Sequence, residues 1–173
     1  MPLLILFILN LFVTNPNNNL IFLAKQKQLQ YNIVKKDYVV IIDYSKPMLT
    51  NRLFLIDIKN EKIILETQVS HAILSGNLYA TDFSNKIDSR KSSLGAFITA
   101  ETKYGHWGYS LVIDGLDKGI NDNARKRKIL FHSTKLMSNK KFPRTYGCFA
   151  TSEEINEKLI NLIKGGCLVY VVR

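Results

Sequence analysis

The chain has 173 residues, of which 46% are hydrophobic, 22% charged and 10% aromatic; it is long enough for one domain with a buried core and too short for two enzymatic domains, and its composition excludes collagen, coiled coil and wholesale disorder. Lys and Arg number 24 against 14 Asp and Glu, and the resulting charge of +10 draws the surface toward polyanions: nucleic acid, anionic lipid or anionic cell-wall polymer. Two cysteines, Cys148 and Cys167, and three histidines exclude a disulfide scaffold and a four-cysteine zinc site, so any cysteine chemistry rests on one thiol.

Residues 2–13 form an apolar run interrupted only by Asn10, the length of a signal-peptide core and short of the roughly 20 residues that cross a bilayer. We read residues 1–19 as an export signal or N-terminal apolar segment closed by an Asn-rich linker, with a buried first strand or helix as the competing reading. Residues 20–36 are a short basic segment with helical character, and residues 37–173 are expected to form the main globular domain. From Tyr38 the texture changes. Residues 38–44, 52–58 and 63–69 are rich in β-branched and aromatic side chains, and the turn at residues 59–62 makes them a meander. Further strands are expected at residues 94–99, 109–113, 128–132 and 167–172. The one strong helix starts near Thr151 or Ser152. There Thr151-Ser152-Glu153-Glu154 offers a capping box, and Ile155, Leu159, Leu162 and Ile163 make an apolar stripe ended by Gly165 and Gly166.

The chemistry concentrates between Ile129 and Cys148. His132 stands at the exit of a strand, and Cys148 follows Thr145-Tyr146-Gly147 just ahead of the helix. A thiol needs a base or a positive field to become thiolate; an imidazole and a helix N-terminus supply them. Gly147 lets the backbone turn sharply, so that amide N–H groups face the oxygen of a tetrahedral intermediate.

The ordered blocks Ser92-Ser93-Leu94-Gly95-Ala96-Phe97-Ile98-Thr99, Gly108-Tyr109-Ser110-Leu111, Gly115-Leu116-Asp117-Lys118-Gly119-Ile120-Asn121, His132-Ser133 and Arg144-Thr145-Tyr146-Gly147-Cys148 resemble the murein L,D-transpeptidase catalytic-domain family over residues 43–172. The resemblance implies a mainly β (α+β) fold, a mixed sandwich or barrel-like sheet with one helix after the cysteine turn. It implies catalytic roles for Cys148 as nucleophile, His132 as base and the Ser133 carbonyl as its orienter. The N–H groups of Tyr146, Gly147 and Cys148 would form the oxyanion hole, and Arg144 and Thr145 would meet substrate. The implied partner is a peptidoglycan stem peptide, with no metal or organic cofactor, acted on by an exported monomer in the periplasm or cell envelope. Transfer to an amine and, with water as acceptor, L,D-carboxypeptidase cleavage both remain open.

Other residues have plainer readings. Cys167 opens an apolar strand and reads as a buried, inert thiol. His71 and His106 read as structural or peripheral, and the run Arg125-Lys126-Arg127-Lys128 as a solvated turn. Trp107, Tyr104 and Tyr109 line a cleft or pack in the core. A non-catalytic basic protein binding cell-envelope polymer or nucleic acid is the alternative function; against nucleic acid stands the absence of a recognition motif.

Overall fold

The computed structural model describes residues 16–135 and 143–173. The apolar run at residues 2–13 lies outside them. Helix α1 spans Pro16–Gln30, so Asn17, Asn18 and Asn19, expected in a linker, are helical. Pro16 sits at the first helical position, where a missing N–H costs nothing and a fixed φ suits the helix. The meander is present as β1 (Lys35–Asp43), β2 (Leu53–Asp57) and β3 (Lys62–Thr67), antiparallel neighbours in sequence. The hairpin β5 (Gly95–Gly105) and β6 (Gly108–Gly115) is followed by β7 (Leu130–Ser133), β9 (Phe149–Thr151), α2 (Glu153–Ile163) and β10 (Cys167–Val172). One curled sheet takes the order β3-β2-β1-β10-β5-β6-β7-β9, and the short β4 (His71–Ala72) and β8 (Arg144–Thr145) pair separately.

Strand β1 is central, flanked by β2 and by the parallel β10. Alternation along it divides the interior. Val40 and Ile42 join one core with Leu53, Leu55, Phe97, Val169 and the α2 residues Leu159, Ile160 and Ile163. Val39 and Ile41 join a second with Phe54, Ile56, Leu168 and Ala24 of α1. Each face of the sheet is thus covered by one helix, which is why β1 reads as an unbroken apolar run.

The capping box is not formed. Ser152 is the N-cap but its side chain makes no cap hydrogen bond. Thr151 is held in β9 opposite Ser133, and its buried hydroxyl meets no partner among the described residues. Sheet pairing has taken the residue that the local motif assigns to the cap. The helix ends as expected: the Lys164 N–H closes on the Ile160 carbonyl, and Gly165 and Gly166 turn away at φ 80° and 100°. Cys167 is fully buried, and its thiol donates to the Tyr38 carbonyl at 3.2 Å.

Candidate active site

Strands β7 and β9 run parallel in the register Phe131↔Phe149 and His132↔Ala150. Phe131 and Phe149 pack in the core with ring centroids 5.0 Å apart. Because successive strand residues point to opposite faces, burying these two rings turns His132, Ala150 and the preceding Cys148 to the other side. There a cavity of about 550 Å³ is lined by His132, Cys148, Trp107, Lys128, Tyr146 and Arg144, among others. Residues 16 positions apart in the chain therefore share one wall.

The state of His132 follows from its partner. Nδ1 lies 2.8 Å from the Ser133 carbonyl, which only accepts, so Nδ1 carries the proton and Nε2 keeps its lone pair. The imidazole is buried, and desolvation lowers its pKa below the ordinary histidine range, opposed by the bond to Ser133. Trp107 stacks on the ring, centroids 4.8 Å apart and planes 25° apart.

Cys148 is half-buried, and its thiol donates to the Lys128 carbonyl at 3.7 Å rather than to the imidazole. Lys128 has φ 57°, an uncommon backbone state for a residue with a side chain. Desolvation pushes the thiol pKa up, opposed by the Leu130 N–H and by the charges of Arg127 and Lys103. The expected thiolate field from the helix start is therefore corrected. Strand β9 separates Cys148 from α2, whose first turn carries Glu153 and Glu154, and the positive field comes from side chains instead. A raised thiol and a lowered imidazole both favour the neutral forms of the two groups over a thiolate–imidazolium pair.

The turn before Cys148 is stapled from within. Thr145 Oγ1 donates to the Cys148 carbonyl at 2.9 Å and accepts the Gly147 N–H at 3.2 Å. The Thr145 side chain thus builds the turn while the residue also lines the cavity, and the Gly147 N–H is held by Thr145 Oγ1. The N–H groups of Tyr146 and Cys148 meet no acceptor among the described residues. Gly147 has φ 130°, and a Cβ there would lie 2.6 Å from Ile129 Cδ1 and 3.1 Å from Arg127 Nη2. Ser70 ties the strand beyond: its hydroxyl donates to the Cys148 carbonyl at 3.2 Å and accepts the Ala150 N–H at 2.9 Å. Arg144 lines the cavity with an exposed side chain, its Nη2 donating to Asn77 Oδ1 at 2.6 Å.

The family model of the L,D-transpeptidase catalytic domain matches residues 17–172. The chain belongs to that family. Among solved structures similar to this L,D-transpeptidase domain, one is an L,D-transpeptidase from Stackebrandtia nassauensis, 17% identical with a TM-score of 0.51 over 91% of this chain and 65% of that one. L,D-transpeptidase 3 from Mycobacterium tuberculosis is 10% identical, TM-score 0.52, over 79% and 61%. The helical cell shape determining protein Pgp2 from Campylobacter jejuni is 13% identical, TM-score 0.56, over 80% and 48%. At these identities the likeness is one of fold. The chain spans about half to two thirds of the length of these structures. No curated protein matches the sequence.

Several residues of this L,D-transpeptidase domain play parts that the sequence hid. The run at residues 125–128 is an exposed turn, as its sequence suggests, with Arg127 half-buried, but its two arginines are anchored. Arg125 forks onto Asp114 and Glu101, while Arg127 donates to Ser84 O at 2.7 Å, to Ser93 Oγ at 2.6 Å and to Lys91 O. The block around Gly115 and Asn121 is scaffold: buried Asn121 bonds the Leu94 and Ala96 carbonyls, and Asp117 takes the Ala96 N–H and the Tyr31 hydroxyl. His71 is structural. Its Nε2–H donates to Gly76 O at 3.1 Å, and its Nδ1 accepts from the fully buried Arg52 at 3.1 Å. Exposed Tyr104 and the Tyr109 hydroxyl, bound to Asn161, stand aside from the cavity lining that Trp107 joins.

Proposed function

We propose that the chain is a peptidoglycan-modifying L,D-transpeptidase in which Cys148 and His132 carry acyl transfer. The observation that carries this reading is the shared cavity, in which a half-buried thiol and an imidazole of defined tautomer stand beside two unclaimed amide N–H groups. Rotation of the thiol off Lys128 brings it toward Nε2, which takes its proton as sulfur attacks the carbonyl of the stem's third residue. The Tyr146 and Cys148 N–H groups receive the oxygen of the tetrahedral intermediate. Collapse expels the terminal D-alanine, whose amine takes the proton from His132, and leaves a thioester. An amine of a second stem then attacks, gives its proton to His132 and releases the thiol; water in its place yields L,D-carboxypeptidase cleavage. The Ser133 carbonyl holds Nδ1–H throughout, as a carboxylate does in serine triads.

No described helix is long and apolar enough to cross a membrane. Export to the envelope fits the apolar run at residues 2–13, and the charge of +10 fits an anionic wall. Full-length protein incubated with stem tetrapeptides should release D-alanine and gain the mass of a thioester on Cys148. Cys148→Ala should lower turnover by about a million-fold, and Cys167→Ala should leave most of it. Undiminished turnover in Cys148→Ala overturns the assignment.

A further inference from the structure

Of residues 69–73 only Ile73 lines the cavity, yet the strip is laced to the cysteine turn on both sides. The Ile73 N–H donates to the Thr145 carbonyl at 2.8 Å ahead of the turn, and the Ser70 N–H to the Ala150 carbonyl at 2.9 Å beyond it. The strip is itself fixed from the core. Arg52, fully buried, donates from Nε to the Val69 carbonyl at 2.9 Å, and the hydroxyl of fully buried Tyr44 donates to the Ser70 carbonyl at 3.0 Å. Ser70 is fully buried too, and its hydroxyl spends both its capacities on the turn. The proton goes to the Cys148 carbonyl at 3.2 Å, and a lone pair takes the Ala150 N–H at 2.9 Å.

The Cys148 carbonyl thus receives two hydroxyls, those of Ser70 and Thr145, while Thr145 also holds the Gly147 N–H. The backbone is pinned one group before and one group after the Cys148 N–H, which has no acceptor among the described residues. Only the torsions of Gly147 and Cys148 lie between the two pins, and they set where that N–H and the sulfur point. The two pins differ in kind. Thr145 closes a bond within the turn and travels with it, whereas Ser70, 78 residues away in the chain, ties the carbonyl to a strip anchored in the core. We infer that Ser70 is a positioning residue of acyl transfer: its hydroxyl holds the Cys148 backbone in the orientation in which the sulfur attacks a carbonyl while the Cys148 N–H receives its oxygen. Ser70 touches no substrate and acts through Cys148. The protonation of the thiol is set elsewhere, by burial, the Leu130 N–H and the charges of Arg127 and Lys103. The inference rests on the acyl-transfer reading for the reaction that Ser70 serves, and adds a residue to it.

The test compares two reactions of Cys148 in the full-length protein, each read as mass gained on the Cys148 peptide. With p-nitrophenyl acetate the sulfur–acyl bond forms, the ester C–O bond breaks, p-nitrophenolate leaves and the thiol proton passes to His132 Nε2; the oxygen of the tetrahedral intermediate needs the Cys148 N–H. Iodoacetamide alkylates the same sulfur by displacement of iodide at a saturated carbon, where no oxyanion forms. Ser70→Ala should slow acetylation about tenfold, the effect of one lost hydrogen bond on the geometry of attack, and leave alkylation within about twofold. Ser70→Cys, nearly isosteric and a weaker donor, should show the same split at smaller size, and it decides the outcome if Ser70→Ala does not fold. Equal slowing of both reactions marks a general disturbance and overturns the positioning role, as does unchanged acetylation, or the absence of acetylation at Cys148 in the unsubstituted protein. Release of D-alanine from stem tetrapeptides by the unsubstituted protein reads the proposed function separately. The split without release overturns that function and keeps the positioning role; release without the split overturns the positioning role alone.

Discussion

The indole of Trp107 lies nearly face to face on the imidazole of His132, centroids 4.8 Å apart, and Trp107 is the only tryptophan in the chain. It closes one face of the ring from water, and desolvation lowers the His132 pKa. A lowered base stays neutral to lower pH. Removing the indole with Trp107→Ala admits water and returns the pKa toward about 6.5, so the acid limb of the pH–rate profile should move up in pH. Intrinsic fluorescence offers a second readout, because an imidazolium against the indole quenches it; the His106 ring also meets the indole, centroids 4.8 Å apart, so in a His106→Ala background emission should fall on acidification and stay level when His132→Ala is added. Superimposable acid limbs for Trp107→Ala and the parent protein would count against the shielding role.

A neutral resting pair, which both shifts favour, predicts how Cys148 reacts. Burial raises the thiol, so iodoacetamide alkylation should climb with pH without a plateau below the ordinary thiol range near 8.5. Lys103 is exposed and its charge favours the thiolate, so Lys103→Gln should move the profile further upward. A plateau of full reactivity near pH 6 would mean that the thiolate–imidazolium pair is the ground state after all.

Gly147→Ala tests the turn. The new methyl would sit 2.6 Å from Ile129 Cδ1, on a backbone at φ 130° that residues with side chains rarely adopt. We expect a loss of about 1–3 kcal/mol in urea unfolding. Turnover should drop by about a hundredfold, the usual effect of displacing reacting groups by an ångström. Unchanged stability and rate together would show that the turn relaxes freely.

His71 couples stability to pH. Fully buried and beside the Arg52 cation, it is lowered to about 4, first by desolvation and then by that charge. Between its unfolded pKa near 6.5 and about 4 the unfolded chain binds the extra proton, so stability is full above that window and is lost as pH falls through it. The loss is on the order of 3 kcal/mol. NMR should find the His71 ring neutral, protonated on Nε2, down to near pH 4. A His71 midpoint near 6.5 would contradict the buried assignment.

Much of the fold was legible in local pattern. The β-branched runs at residues 38–44, 52–58 and 63–69 became β1, β2 and β3, and residues 167–172 became β10, because a run of apolar side chains has few ways to leave water. The start of α1 was not legible. Its helix takes in three asparagines whose own preference is for turns, and packing of Leu20, Ile21, Leu23 and Ala24 on the sheet overrides that preference. The capping box failed for a related reason, since a strand partner claimed Thr151 first.

The sequence by itself determined the family and singled out the two residues to which we assign the chemistry, His132 and Cys148, since a nucleophile, a base and a glycine at a sharp turn are what the proposed reaction needs and must be written in residue types. Only the tertiary structure decided their states and their company. It put Trp107 on the imidazole, aimed the thiol at Lys128, sank Arg127 beneath the turn and spent Thr145 on building it. These are distances and burials between segments far apart in the chain, and desolvation and hydrogen bonding, which set protonation and orientation, act through space and not along the sequence.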